Sequence, residues 1–235
     1  MVGKLESRIM DTKKNIWIIA NWKSNKNIRE ALEWIAQVGP ELPRNENLKV
    51  VVCPTFVNIE EIKKSVLVGN FPIMVGSQDL SPYPEGSFTG EEAASILKQF
   101  VSLAILGHSE RRQNFAETDQ MVEAKVNQAT DHQIIPLVCV QGPDTPVPAG
   151  CSLVAYEPIF AIGTGDADTP QGAAAVAASL KNKYGEDLQV LYGGSVTADN
   201  CQGFLDQDNI SGLLIGQASL DAVEFIKIVE ASFKK

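Results

Sequence analysis

A carboxylate, an imidazole, an ammonium group and several glycine turns are the residues here that could do chemistry. Glu157 closes a short apolar run, Ser152–Tyr156, and Pro158 follows at once. Proline cannot continue a parallel ladder, and it biases the residue before it toward extended geometry. Glu157 therefore stands at the tip of a strand, at a fixed angle. Four apolar residues, Ile159-Phe-Ala-Ile162, and then Gly163-Thr164-Gly165 come next. A rigid start and a flexible end are the makeup of a hinged lid. A carboxylate under a lid suits acid–base chemistry sheltered from water.

The elements that must position Glu157 alternate along the whole chain. Ile16–Asn21, Lys49–Cys53, Pro72–Gln78, Leu103–Gly107, Ile134–Val140, Ser152–Tyr156, Gln189–Tyr192 and Gly212–Ile215 read as strands. Each is short and nearly continuous in apolar residues, as parallel strands covered on both faces are. Amphipathic helices are expected at about 28–38, 59–67, 91–99, 119–131, 169–184, 197–205 and 218–233, with Asp119, Thr169 and Thr197 as N-caps. Eight strands in βα alternation predict an α/β fold, a (β/α)8 barrel of one domain over residues 13–235. Residues 1–12 read as a loose extension.

One unit breaks the pattern. The connection from Gln141 to Cys151 holds three prolines and two glycines, so it cannot be a helix. Eleven extended residues reach roughly 35 Å, enough to cross back over a strand of about 17 Å. One sector of the outer helical ring should be thin, and residues 1–12 or another subunit are the expected cover.

In such a barrel the active site lies at the C-terminal ends of the strands. Those ends carry Asn21, Trp22 and Lys23; His108, Ser109, Glu110, Arg111 and Arg112; Glu157; Gly193, Gly194 and Ser195; and Gly216 with Gln217. Alone, Lys23 reads as a solvated surface charge, His108 as a structural histidine, and Glu110 with the two arginines as a surface ion-pair cluster. Together they place a base, a neutral donor, a cation and two glycine turns on one face. The turns point to phosphate, because glycines let backbone N–H groups approach an anion closely. The loops after strands seven and eight often form a phosphate site in these barrels.

Composition limits the partners. The chain has 235 residues, 44% hydrophobic, with a net charge of −9, so a nucleic-acid surface is excluded and an anion needs a local positive site. The N-terminus is too charged for a secretory signal, and no apolar run approaches a membrane span. Four cysteines lack metal-ligand spacing and read as reduced and mostly buried, which points to the cytosol.

The segments Ala20-Asn-Trp-Lys-Ser-Asn25, Gly86-Ser-Phe-Thr-Gly-Glu91, Leu106-Gly-His-Ser-Glu-Arg-Arg112, Ala155–Gly165, Tyr192-Gly-Gly-Ser-Val196 and Gly212-Leu-Leu-Ile-Gly216 stand in this order. Together they closely resemble the triosephosphate isomerase family, from about residue 15 to residue 235. The resemblance implies interconversion of glyceraldehyde 3-phosphate and dihydroxyacetone phosphate, a step of glycolysis and gluconeogenesis. It implies Glu157 as carbon base, His108 as electrophile, Lys23 and Asn21 as donors to substrate, and Glu110 as orienting group. Gly163, Ser195, Gly216 and Gln217 would hold the phosphate. It implies neither metal nor organic cofactor. It also implies a cytoplasmic homodimer, joined through the Ser77–Glu91 loop with Thr89 near its end.

Four departures from that family stand out. Its helix between strands five and six is absent. Gln217 replaces a glycine, where a positive φ would cost glutamine about 1–2 kcal/mol. Asp79 stands where asparagine is usual near the subunit interface. Phe160 and Asp166 replace a usual tryptophan and lysine in the lid. Two rival readings accompany the resemblance. One is a barrel enzyme using Lys23 as a Schiff-base amine; the other is a non-catalytic phosphate-binding or scaffold barrel.

Overall fold

Eight parallel strands close on themselves in sequence order in the computed structural model, which describes residues 15–161 and 167–234. The strands are β1 (Ile16–Asn21), β2 (Leu48–Cys53), β3 (Met74–Ser77), β4 (Leu103–Leu106), β5 (Ile135–Val140), β6 (Leu153–Tyr156), β7 (Gln189–Tyr192) and β8 (Gly212–Ile215). Closure is made by β1 against β8, with Trp17 opposite Gly212 and Ala20 opposite Ile215. The expected extension, residues 1–12, and the lid glycines Gly163 and Gly165 lie outside the described residues.

The period-2 rule divides every strand between two cores. Odd-numbered positions on β1, β2 and β4–β7, such as Trp17, Ile19, Val51, Ile105, Leu137, Cys139 and Ala155, fill the barrel. Their neighbours Ile18, Ala20, Val52, Leu106, Val138, Val154 and Ile215 face the helices. Both sets are buried, so the strands read as continuous apolar runs rather than alternating ones.

The helices are α1 (Ile28–Val38), α2 (Ile59–Val68), α3 (Ala94–Leu97), α4 (Ser109–Asn114), α5 (Asp119–Asp131), α6 (Pro170–Tyr184), α7 (Cys201–Leu205) and α8 (Ala222–Ala231). Local chemistry sets their ends. Asn27 and Glu30 form a reciprocal capping box on α1. Thr169 caps α6, as expected. Two expected caps are displaced. Thr118, not Asp119, caps α5, because its hydroxyl accepts the Met121 N–H at 3.2 Å, while Asp119 turns to Arg112. Asn200 rather than Thr197 precedes α7. Its side chain takes the Thr197 N–H and donates to the Ser195 carbonyl, both at 2.9 Å, which keeps residues 195–199 out of the helix. The helix expected at 91–99 shrinks to one turn, since the Glu92 carbonyl is drawn to the Ser81 N–H.

No helix joins β5 to β6, and the connection itself lies over the sector. Val147 and Cys151 pack against the outer core. The Val147 N–H donates to the Tyr184 hydroxyl at 3.3 Å, and Lys183 Nζ donates to the Pro143 carbonyl at 2.9 Å. Val138, Val140 and Val154, which face outward here, are fully buried. The other expected covers are residues 1–12, which lie outside the described residues, and another subunit. A proline-rich strap tied to α6 does the work of the helix, which keeps β6, and with it Glu157, in place.

Candidate active site

Glu157 stands one residue beyond β6, its N–H bonded to the Val140 carbonyl at 2.8 Å, and it is 1% exposed. His108 ends the turn after β4 and caps α4, a six-residue helix that hydrophobic periodicity is too short to reveal. The Glu110 N–H points at His108 Nδ1, 3.2 Å away. A nitrogen that accepts an N–H carries no proton, so the ring is the neutral tautomer with hydrogen on Nε2. That Nε2–H faces Glu157 Oε1 at 2.9 Å, and the Ser109 N–H donates to Oε2, also at 2.9 Å. Both carboxylate oxygens are thereby fixed. Below them, burial and then the Glu157 charge push the Cys139 thiol well above its usual range, so it stays protonated beside the carboxylate.

Lys23 follows β1 in a left-handed conformation, φ 51°, which costs a residue with a Cβ about 1–2 kcal/mol. Its own neighbours hold it there. The Lys23 N–H donates to Asn21 Oδ1 at 3.1 Å, and Gln78 Nε2 donates to the Lys23 carbonyl at 2.8 Å. The side chain then runs to Glu110, with which Nζ forms a close ion pair. Glu110 thus touches the site twice, by its N–H on His108 and by its carboxylate on Lys23.

The glycine turns form the other wall. Asn21, Lys23, His108, Glu157, Gly193, Gly194, Ser195, Gly216 and Gln217 line one cavity of about 670 Å³. At Gly194 a Cβ would lie 2.2 Å from the Tyr192 hydroxyl, so only a bare backbone fits above that group. Gln217 opens a short 3-10 turn with no positive φ, and the strain expected from its replacing glycine does not arise. Gly163 is outside the described residues. The structure therefore brings together Asn21, Lys23, His108, Glu110, Glu157, Ser195, Gly216 and Gln217. Reasoning from side chains missed the Ser109 amide, whose role is carried by the backbone, and Gln78, whose reach to Lys23 spans two strands.

Behind His108 lies a group of four charges, of which Asp79, Glu117 and Lys125 are buried and Arg111 is partly exposed. Asp79, on the loop after β3, pairs with Lys125 Nζ at 2.6 and 2.8 Å and with Arg111 Nε at 2.9 Å. Glu117 pairs with the same two cations, at 2.5 and 2.9 Å. Arg111 lies on α4, three residues from His108, so the group ties the third βα loop to the imidazole. Burial first, and Glu117 as a like charge, push the Asp79 carboxyl up to about 6 against the pull of Lys125 and Arg111. An acid raised in the fold favours the folded state fully below about pH 4, and that contribution is lost as pH rises through about 6. Asp79→Asn should therefore flatten this dependence. Urea unfolding should show the variant more stable than wild type at pH 8, by on the order of 2–3 kcal/mol, with the gain shrinking toward pH 4. A variant less stable than wild type at pH 8 would mean the ion pairs outweigh the cost of burial.

Comparison with known proteins bears on this site. A family profile described as Triosephosphate isomerase matches residues 16–150 and 148–232. The two stretches meet inside the connection that lacks a helix. A protein of Caldanaerobacter subterraneus subsp. tengcongensis named triosephosphate isomerase is 37% identical, the alignment covering 90% of this chain and 97% of the relative. A Dehalococcoides mccartyi protein of the same name is 35% identical, covering 92% and 95%. One from Chloroflexus aurantiacus is 34% identical, covering 90% and 97%.

Proposed function

The chain belongs to the triosephosphate isomerase family, and we propose that its cavity interconverts D-glyceraldehyde 3-phosphate and dihydroxyacetone phosphate through an enediolate, with Glu157 as the carbon base. The observation that carries this reading is the close pairing of Glu157 with a neutral His108 at one end of a cavity whose other end is lined by glycine turns.

The substrate carbonyl oxygen takes the His108 Nε2–H that Glu157 holds in its absence. This frees Oε1 to remove the proton from the carbon beside the carbonyl. The electron pair moves onto the carbonyl oxygen, and His108 donates to it and passes a proton between the two oxygens. Lys23, oriented by Glu110, and Asn21 supply positive potential to the developing charge. One well-placed donor of this kind is typically worth about 3–4 kcal/mol. Glu157 returns its proton to the neighbouring carbon. The amides of Ser195, Gly216 and Gln217, with Gly163, hold the phosphate. Binding energy from that unreactive group is available to exclude water from the enediolate.

The assembly and setting follow from the same reading. We assign one barrel domain over residues 13–235 and a homodimer through Ser77–Glu91. Support comes from Tyr83 and Phe88, which stack at 4.4 Å on that loop while remaining 47% and 38% exposed. Four free cysteines fit a reducing cytoplasm. No helix among the described residues is long and apolar enough to cross a membrane. The Schiff-base alternative needs Lys23 Nζ free to attack a carbonyl, and here Nζ is held by the Glu110 carboxylate. A coupled assay with a glycerol-phosphate or glyceraldehyde-phosphate dehydrogenase tests the activity. Turnover in both directions is expected; its absence in folded wild type would favour a binding or scaffold barrel.

A further inference from the structure

We propose that Asp168 is a positioning residue for the isomerisation, clamping the strand ends that carry Glu157 and the phosphate turn. This rests on the function proposed above. Asp168 is half-buried, just before α6. Its Oδ1 accepts the Thr169 N–H at 2.7 Å, at the start of a fifteen-residue helix whose N-terminus favours a carboxylate. Gly172 leaves room for it, since a Cβ there would lie 2.7 Å from Oδ1. With one oxygen seated on the helix, the other is aimed at the Tyr156 hydroxyl, 3.4 Å away. The Asp168 N–H donates to the Tyr192 hydroxyl at 2.8 Å.

The two tyrosines make this contact matter. Tyr156 immediately precedes Glu157, and Tyr192 immediately precedes Gly193-Gly194-Ser195. Their Cα atoms are partners in the β6–β7 register, and the Tyr192 hydroxyl lies directly against Gly194. Burial pushes both hydroxyls up to about 12, so both stay protonated near neutral pH, with the Tyr156 hydroxyl donating to Asp168 and the Tyr192 hydroxyl accepting from its N–H. Asp168 therefore joins α6 to the residue behind the base and to the residue beneath the phosphate turn. Its role runs through these neighbours, with no contact to substrate.

Steady-state kinetics on Asp168→Ala, Asp168→Asn, Tyr156→Phe and the Asp168→Ala/Tyr156→Phe double variant test the clamp. Asp168→Ala and Tyr156→Phe should each lower kcat about tenfold with KM changed less than about twofold, the loss expected for a displacement of a few tenths of an ångström when 1 Å costs about 10²-fold. The double variant should lose no more than Asp168→Ala alone. Asp168→Asn keeps the shape and both polar contacts and should restore at least half of wild-type kcat. Unchanged kcat in Asp168→Ala, equal loss in the alanine and asparagine variants, or multiplicative losses in the double variant would each overturn the clamp while leaving the proposed function standing. A wild type with no isomerase turnover would sink the proposed function, and this role with it.

Discussion

Glu157→Gln should lower kcat by about 10³–10⁴-fold while KM changes only a few-fold, the upper range for loss of a positioned general base. The substitution keeps the side chain's volume and its hydrogen bond from the Ser109 N–H, so the barrel should unfold at nearly the wild-type temperature. It removes the basic oxygen and sets an amide NH2 or a weaker carbonyl against His108 Nε2–H, which now lies 2.9 Å from the carboxylate. Glu157→Asp separates chemistry from placement. The carboxylate remains but retreats by about 1 Å, and a loss near 10²-fold is expected from misplacement alone. Steady-state kinetics with thermal melts on both variants check the pair. A glutamine variant within about tenfold of wild-type kcat would remove Glu157 from the role of base.

The second large effect is at Lys23. Lys23→Ala should cost about 10²–10³-fold in kcat/KM, the loss expected when one preorganised donor to developing charge is removed. KM should rise as well, since the same ammonium group faces the phosphate end, where a Cβ on Gly216 would lie 3.8 Å from Nζ. The effect on folding runs the other way at the backbone. Lys23 sits at φ 51°, so Lys23→Gly relieves strain that Lys23→Ala keeps. The glycine variant should melt above the alanine variant by a margin worth about 1 kcal/mol, with equally poor activity. Equal melting temperatures would mean that the Asn21 and Gln78 contacts, rather than the side chain's conformational preference, set the local stability.

The sequence was most readable where local chemistry decides the structure. Pro158 alone places Glu157 at a strand tip, and Gln141–Cys151 cannot be helical with its prolines. The periodic pattern of α1 and α5 gives both helices to the residue. Readability failed where a distant partner decides. Thr197 lost its cap because Asn200 was recruited to brace Ser195, and the helix before β4 shortened because Glu92 pairs with Ser81. Six residues are too few for a periodic signal, so α4 was invisible, although its first turn sets the tautomer of His108. The thin sector was foreseen but its cover was not, since a strap that bonds to Tyr184 and Lys183 leaves no mark in composition. For the site, residue types and their strand-end positions were legible. The pairings among them, Glu157 with His108 and Lys23 with Glu110, are separated by tens of residues and emerge only when the barrel closes.

The central claim is that Glu157 moves a carbon-bound proton through an enediolate. Deuterium exchange reads that step directly. Wild-type protein incubated with dihydroxyacetone phosphate in D2O should place solvent deuterium on the two enediolate carbons, at C1 of dihydroxyacetone phosphate and C2 of glyceraldehyde 3-phosphate, as followed by proton NMR. The Glu157→Gln variant should exchange no faster than about 10⁻³ of the wild-type rate. Isomerisation by wild type with no solvent deuterium in either triose, or undiminished exchange in Glu157→Gln, would contradict the account.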